Sequence, residues 1–307
     1  MIEEFGVGQL LLIPWRRDPQ LATHEVVAAS ASGRVALLQL YAEGASLYLA
    51  SSSLDLIAEA ALNSLNPVSV SIDVGRYVYV SFDNVVYMFN YDLREVGRVS
   101  YPGTVLRVRP INDVVYVSYV DGTGSVLETD TPELRKLSAH SFTYKILDID
   151  RHGDGFIAIE RLNQLLFLDN EFNITSDVNV IHLVDENHSM ITPLRMDIIA
   201  TLTRELEVNT VHIRSLGSEF VVGSTRGYLL MRGSELVKVL ETYRPSGSDA
   251  FKIMDVNREY ALLTYNSDEW SAVVRVDLNS FINLDGIITA LMDIGVVEKE
   301  FANVEEI

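Results

Sequence analysis

The densest run of groups that could do chemistry is Asp148-Ile149-Asp150-Arg151-His152-Gly153-Asp154-Gly155. It sets oxygen donors at alternate positions ahead of a glycine, as calcium loops do. A helix-loop-helix calcium site needs a third oxygen ligand two residues after Asp150 and a glutamate at the twelfth position. His152 and Ile159 stand there instead. The run also falls where a hairpin turn is needed, and a turn explains its Gly and Asp content without a metal.

Other small motifs fare no better. Gly6-Val7-Gly8 lacks a third glycine and a preceding strand, so it does not read as a dinucleotide loop. Gly122-Thr123-Gly124 has neither the lysine nor the helix of a phosphate loop. Asn173-Ile174-Thr175 and Asn187-His188-Ser189 match the glycosylation sequon, but no export signal accompanies them. The six histidines (His24, His140, His152, His182, His188 and His212) contain no i, i+4 pair for a helical zinc site. No cysteine is present, which removes disulfides, thiolate metal sites and cysteine nucleophiles. No catalytic residue, metal site or cofactor is therefore expected.

Composition narrows the partner. The net charge is −19, and the 24 basic residues form no run. Nucleic acid is an unsuitable ligand, because affinity there comes from neutralising phosphates with Lys and Arg. An anionic membrane is disfavoured for the same reason. A protein partner of basic charge is compatible, as is charge that merely keeps the chain soluble. The N-terminal apolar run has no basic stretch before it and is too short to span a bilayer. The expected location is cytoplasmic. Scarce Cys and Gln point to a thermophile source, while the 19 Arg to 5 Lys balance argues against it.

The elements that would position such residues are short strands. From Pro67 to Gly103 the chain reads as four Val-, Tyr- and Phe-rich runs separated by turn residues: VSVSID, RYVYVSF, VVYMFN and EVGRVS. This predicts a four-stranded antiparallel meander. The same grammar recurs over 25–62, 104–143, 145–180, 211–241 and 251–277. Second strands begin near residues 35, 77, 114 and 156, a spacing of roughly 40 residues. Those second strands are apolar on both faces, as expected for sheets stacked face to face. LIAEAAL (56–62) has helix formers, yet its place in the repeat makes it a fourth strand.

The repeated meander resembles the broad β-propeller superfamily, including WD40-like and YVTN/NHL-like proteins, over about residues 8–280. Trp15 and Trp270 are not followed by Asp, so the Trp-Asp signature is absent, and kelch and sialidase signatures are missing too. The expected fold class is all-β: one closed propeller of seven four-stranded blades, with six as the alternative because 179–210 fits the repeat poorly. Residues 1–280 form the propeller domain, with 8–14 supplying the closing strand of the last blade. Residues 281–307 form a C-terminal helical extension, in which Ile287, Leu291, Ile294, Val297 and Phe301 fall at helical spacing.

The resemblance implies that loops between strands present a binding face. By topology one face carries Tyr101, Asp121, His140, Arg161, Arg226, Tyr243, Arg244, Asp268 and Trp270, residue types that dominate interface hot spots. The expected role is a non-enzymatic protein-interaction scaffold, with a subunit of a larger assembly, docked through the C-terminal helix, as one form of it. The alternative is a propeller enzyme, lactonase-like or otherwise metal-dependent, with an axial site.

Overall fold

The structure is a computed structural model. It describes residues 2–5, 8–14, 25–31, 33–41, 44–63, 67, 69–120, 124–141, 146–160, 164–179, 211–224, 227–241, 251–257, 259–266 and 270–277. These residues form strands and turns in two compact units.

The first unit takes residues 1–65 and 240–307. Its strands are β1 (Ile2–Phe5), β2 (Gly8–Pro14), β3 (Glu25–Ala31), β4 (Arg34–Tyr41), β5 (Gly44–Ser51) and β6 (Leu56–Leu62), with β23 (Phe251–Val256), β24 (Tyr260–Asn266) and β25 (Trp270–Asp277) from the far end of the chain. β3 to β6 make a four-stranded meander, and a second sheet runs β1-β2-β25-β24-β23. In it β2 pairs antiparallel with β25, from Gly8 opposite Val276 to Pro14 opposite Trp270. Val35, Leu37 and Tyr48 of the first sheet, with Leu54 of its β5–β6 turn, share one apolar core with Met254, Tyr260, Leu262 and Val273 of the second.

The second unit, residues 66–239, holds four meanders. They are β7 (Val70–Val74), β8 (Val78–Phe82), β9 (Val85–Phe89) and β10 (Glu95–Ser100); β11 (Val105–Ile111), β12 (Val114–Tyr119), β13 (Gly124–Thr129) and β14 (Lys136–Ser141); β15 (Ile146–His152), β16 (Gly155–Glu160), β17 (Gln164–Leu168) and β18 (Ile174–Asn179); and β19 (Val211–Ser215), β20 (Phe220–Ser224), β21 (Gly227–Arg232) and β22 (Glu235–Glu241). Apolar side chains of neighbouring sheets interleave. Tyr79 and Met88 meet Val108 and Val117, Ile111 and Tyr116 meet Ile149 and Phe156, and Ile157 meets Ile213 and Phe220.

The strand reading of the sequence holds in these sheets. LIAEAAL is the fourth strand β6 and not a helix. Six sheets lie among the described residues. Of residues 179–210, where the seventh blade is expected, 180–210 lie outside them, as does the helix expected over 281–307.

A shared turn joins third to fourth strands. The side chain of Asn90 accepts the amides of Asp92 and Arg94 at 3.1 and 2.9 Å, and Asp169 accepts those of Glu171 and Asn173 at 2.8 and 2.9 Å. Ser51 does the same for Ser53 and Asp55. Each turn then tucks in an apolar residue at positive φ: Leu54 (63°), Leu93 (55°) and Phe172 (65°), all buried. Side chains with a Cβ avoid that region, so burial of a large apolar group offsets the local strain. Immediately after the turn, Ile57, Val96, Leu137 and Thr175 sit at bulges in their fourth strands. A bulge twists an edge strand out of the flat geometry that another strand could pair with.

Candidate functional site: a buried charged seam

Charged residues sit in the first strand of sheet after sheet, a position that is otherwise apolar. Counted from the hairpin register, Asp73, Arg109, Asp150, Arg214 and Asp255 occupy equivalent places in β7, β11, β15, β19 and β23. The sign alternates along the chain. A first strand is the edge of its sheet, so half of its amides lack a ladder partner and must find another when buried. Polar side chains of the preceding first strand supply it. Ser71 Oγ accepts from Val108 N at 3.2 Å, Asp148 Oδ2 from Ile213 N at 2.9 Å, and Asp150 Oδ2 from Ser215 N at 2.8 Å. Asp73, Asp150 and Asp255 each also accept the amide of the following residue, at 2.8 to 2.9 Å.

Within the second unit these groups close into a seam. Arg109 donates through Nη1 to Asp73 and through Nε and Nη2 to Asp148 Oδ1, the latter at 3.2 and 2.5 Å. One guanidinium thus spans two carboxylates from the sheets on either side, a geometry that suits its planar fork. Arg107 and Arg214 approach the same Asp148 carboxylate, each at 3.5 Å. Arg107 also donates to the Leu147 carbonyl at 3.4 Å. Asp73, Asp148 and Asp150 balance Arg107, Arg109 and Arg214, so the seam is neutral when all six are ionised.

Burial and pairing pull the titrations apart. Burial depresses the Arg107 guanidinium, and Asp148 only partly restores it. Burial and the neighbouring Arg214 also act against Arg109, but Asp148 and Asp73 outweigh them and hold it above its ordinary value. Burial raises the Asp150 carboxyl against the pull of Arg214 and Arg109. Asp148 is 0% exposed, and both of its oxygens are engaged by arginines and an amide. Taking a proton or a ligand there would strip a buried cation of its partner, at about 3–5 kcal/mol. The seam is therefore built as a brace. Among the described residues, no three His, Asp or Glu side chains are grouped to hold a metal ion.

The hairpin turn expected within the acidic run is present. Asp148 and Asp150 lie inside β15, and only Gly153 and Asp154 make the turn. The residues expected on a loop face are distributed unevenly. Tyr101 is 7% exposed, and its hydroxyl donates to Glu128 at 2.5 Å. His140 is half-buried at the end of β14, stacked on Phe172 with ring centroids 4.6 Å apart and its Nε2 2.7 Å from Ser138 Oγ. Trp270 is the first residue of β25. Asp121, Arg161, Arg226, Tyr243, Arg244 and Asp268 lie outside the described residues, as do Ile287, Leu291, Ile294, Val297 and Phe301.

The same succession of meanders is found in solved structures. The chain is similar to the WD40 domain of coronin from Toxoplasma gondii, with a TM-score of 0.51 and 10% identity over 90% of this chain and 88% of that one. It is similar to the WD40 domain of Neurospora crassa Pan2, with a TM-score of 0.51 and 7% identity over 82% of this chain and 88% of that one. The fold is that of the β-propellers. The WD40 β-propeller domain of Doa1 adds a third likeness, with a TM-score of 0.50 and 10% identity over 85% of this chain and 96% of that one. No family model and no curated protein sequence matches the chain. In β-propeller terms the charged seam belongs to the first strands of the blades, and the shared turn joins third to fourth strands.

Proposed function

We propose that this β-propeller is a non-enzymatic scaffold that binds a protein partner through loops on one face. One observation carries the reading: the buried charges that could have formed a reactive centre are paired with one another, with Asp148 held by three arginines and the Ile213 amide. Recognition then falls to surface side chains. The loop-face set of Asp121, His140, Arg161, Arg226, Tyr243, Arg244, Asp268 and Trp270 supplies the aromatic and Arg types that anchor interfaces. Tyr101 supports that face from within through Glu128. The net charge of −19 favours a basic partner over nucleic acid or an anionic membrane. The full architecture we propose has seven blades, with 179–210 as the irregular one and the β2–β25 pairing as the closure.

The test is crosslinking and purification of the tagged protein from its native source, repeated with Arg244→Glu combined with Trp270→Ala. The variant is expected to lose the specific partner while its melting is unchanged. Retention of the partner at wild-type yield would overturn the loop-face reading.

A further inference from the structure

Fourth strands elsewhere blunt their edges with polar and charged side chains. β10 reads EVGRVS, β14 KLSAHS and β18 ITSDVN. β6 reads LIAEAAL, with Glu59 as its only polar residue. Leu56 and Ile57 are 48% and 52% exposed side by side, whereas β10, β14 and β18 each show one large apolar residue to solvent. An edge this apolar invites pairing with whatever apolar surface is nearest.

β25 touches the turn that precedes β6. Arg275 of β25 donates through Nη1 to the Ser52 carbonyl at 2.5 Å. The Ser51 amide donates to the Asp55 carbonyl at 2.8 Å, which closes that turn and sets Leu56 directly beside it. β25 ends at Asp277, two residues after Arg275. The polypeptide therefore leaves the last sheet next to the exposed start of β6. Thirty residues follow Asp277, with Ile287, Leu291, Ile294, Val297 and Phe301 at helical spacing. A helix of ~20 residues is about 30 Å long. That is enough to run along a seven-residue strand of about 23 Å.

We infer that residues 281–307 dock on β6 of their own chain, with the apolar side of the segment covering Leu56 and Ile57. This covers an edge that would otherwise aggregate, and it leaves the loops as the partner-facing surface. The inference does not depend on the scaffold reading, since it holds for an enzyme or a scaffold alike.

The absence of native cysteine makes the test clean. In the full-length chain, Ile57→Cys is combined with Leu291→Cys and treated with a short bismaleimide. A second pair, Leu56→Cys with Ile287→Cys, guards against one unfavourable geometry. The control joins Leu137→Cys, an equivalent bulge in β14, to Leu291→Cys. An intramolecular crosslink in either β6 pair, formed several-fold faster than in the control, is the expected result. Crosslinking at the control rate in both pairs overturns the inference. So does a product that is mainly dimeric and rises with protein concentration, which would put a second copy on β6.

Discussion

Replacing Asp148 by asparagine changes one charge and almost no volume. The amide oxygen can still accept from Ile213 N, so the backbone contact at 2.9 Å survives. What goes is the negative charge facing Arg107, Arg109 and Arg214, all within 3.5 Å. The six-residue seam moves from neutral to one net positive charge in an interior where Asp148 is 0% exposed and Arg109 is 4% exposed. Breaking a buried pair from one side costs about 3–5 kcal/mol. At roughly 2–4 °C per kcal/mol for a domain of this size class, the melting midpoint should fall by about 6–20 °C. Urea unfolding followed by far-ultraviolet circular dichroism measures the free energy directly. The internal control is Glu95→Gln, which removes a surface pair with Arg98 at 2.8 Å whose side chains are 37% and 63% exposed. Such pairs are worth about 0–1 kcal/mol. Adding Arg107→Met to Asp148→Asn should recover part of the loss, because Arg107 is the seam arginine that burial depresses. A loss for Asp148→Asn no larger than for Glu95→Gln would refute the brace.

Three further expectations follow from named groups. Burial lowers the pKa of His140 and His152, with Asp150 partly opposing at His152; below the unfolded value of about 6.5 the native state then binds fewer protons than the unfolded one, so stability falls as pH drops from there. Urea midpoints at pH 7 and 5.5 should therefore differ more for the wild type than for His140→Gln with His152→Gln, and equal differences would sink this account. Asn90→Ala loses two amide contacts and should cost about 1 kcal/mol, as helix caps do, whereas Asn90→Asp should be close to neutral because Asp169 makes the same turn; differential scanning calorimetry of both variants checks the contrast. Exchanging the charges of one pair, Asp73→Arg with Arg109→Asp, should fail to restore stability, since position 109 also faces Asp148; a melting midpoint at the wild-type value would contradict that.

Much of the fold was legible because its information is local. Runs such as VYVSF and VVYVSY alternate with Gly, Asp and Asn turns inside about 40 residues, and hairpin register needs nothing further away. The third-to-fourth turn was equally local, although its signature, a Ser, Asn or Asp three residues before a buried Leu or Phe, emerges only when Ser51–Leu54, Asn90–Leu93 and Asp169–Phe172 are superposed. The seam was not legible in the same way. Its contacts join residues 36, 39 and 65 positions apart, across sheets and not along them. Taken one sheet at a time, Asp148 and Asp150 belong to the strand run KILDID ahead of a Gly-Asp-Gly turn, and nothing local marks them as buried, because carboxylates rarely are without partners. The signal that finds them is the alignment of first strands, where VSIDV, LRVRP, LDIDR, HIRS and IMDV place alternating Asp and Arg at one position.

That alternation suggests why a repeat protein keeps charges in its interior at all. Identical meanders stack on one another by nonspecific apolar contact, and nothing in a Val- and Ile-lined face distinguishes the right neighbour from the wrong one. Hydrophobic isosteres of a buried ion pair are often as stable as the pair itself, so stability alone does not account for the seam. Sign does distinguish neighbours. β11 brings two arginines and β15 two aspartates, each followed or preceded in the chain by a sheet of the opposite sign at the equivalent position. Stacking β11 against β19 would bury Arg109 and Arg107 beside Arg214, and stacking β7 against β15 would set Asp73 beside Asp148. In the native order Arg107, Arg109 and Arg214 neighbour one another around the Asp148 carboxylate, and each error would leave such like charges in the core without the opposite charge between them.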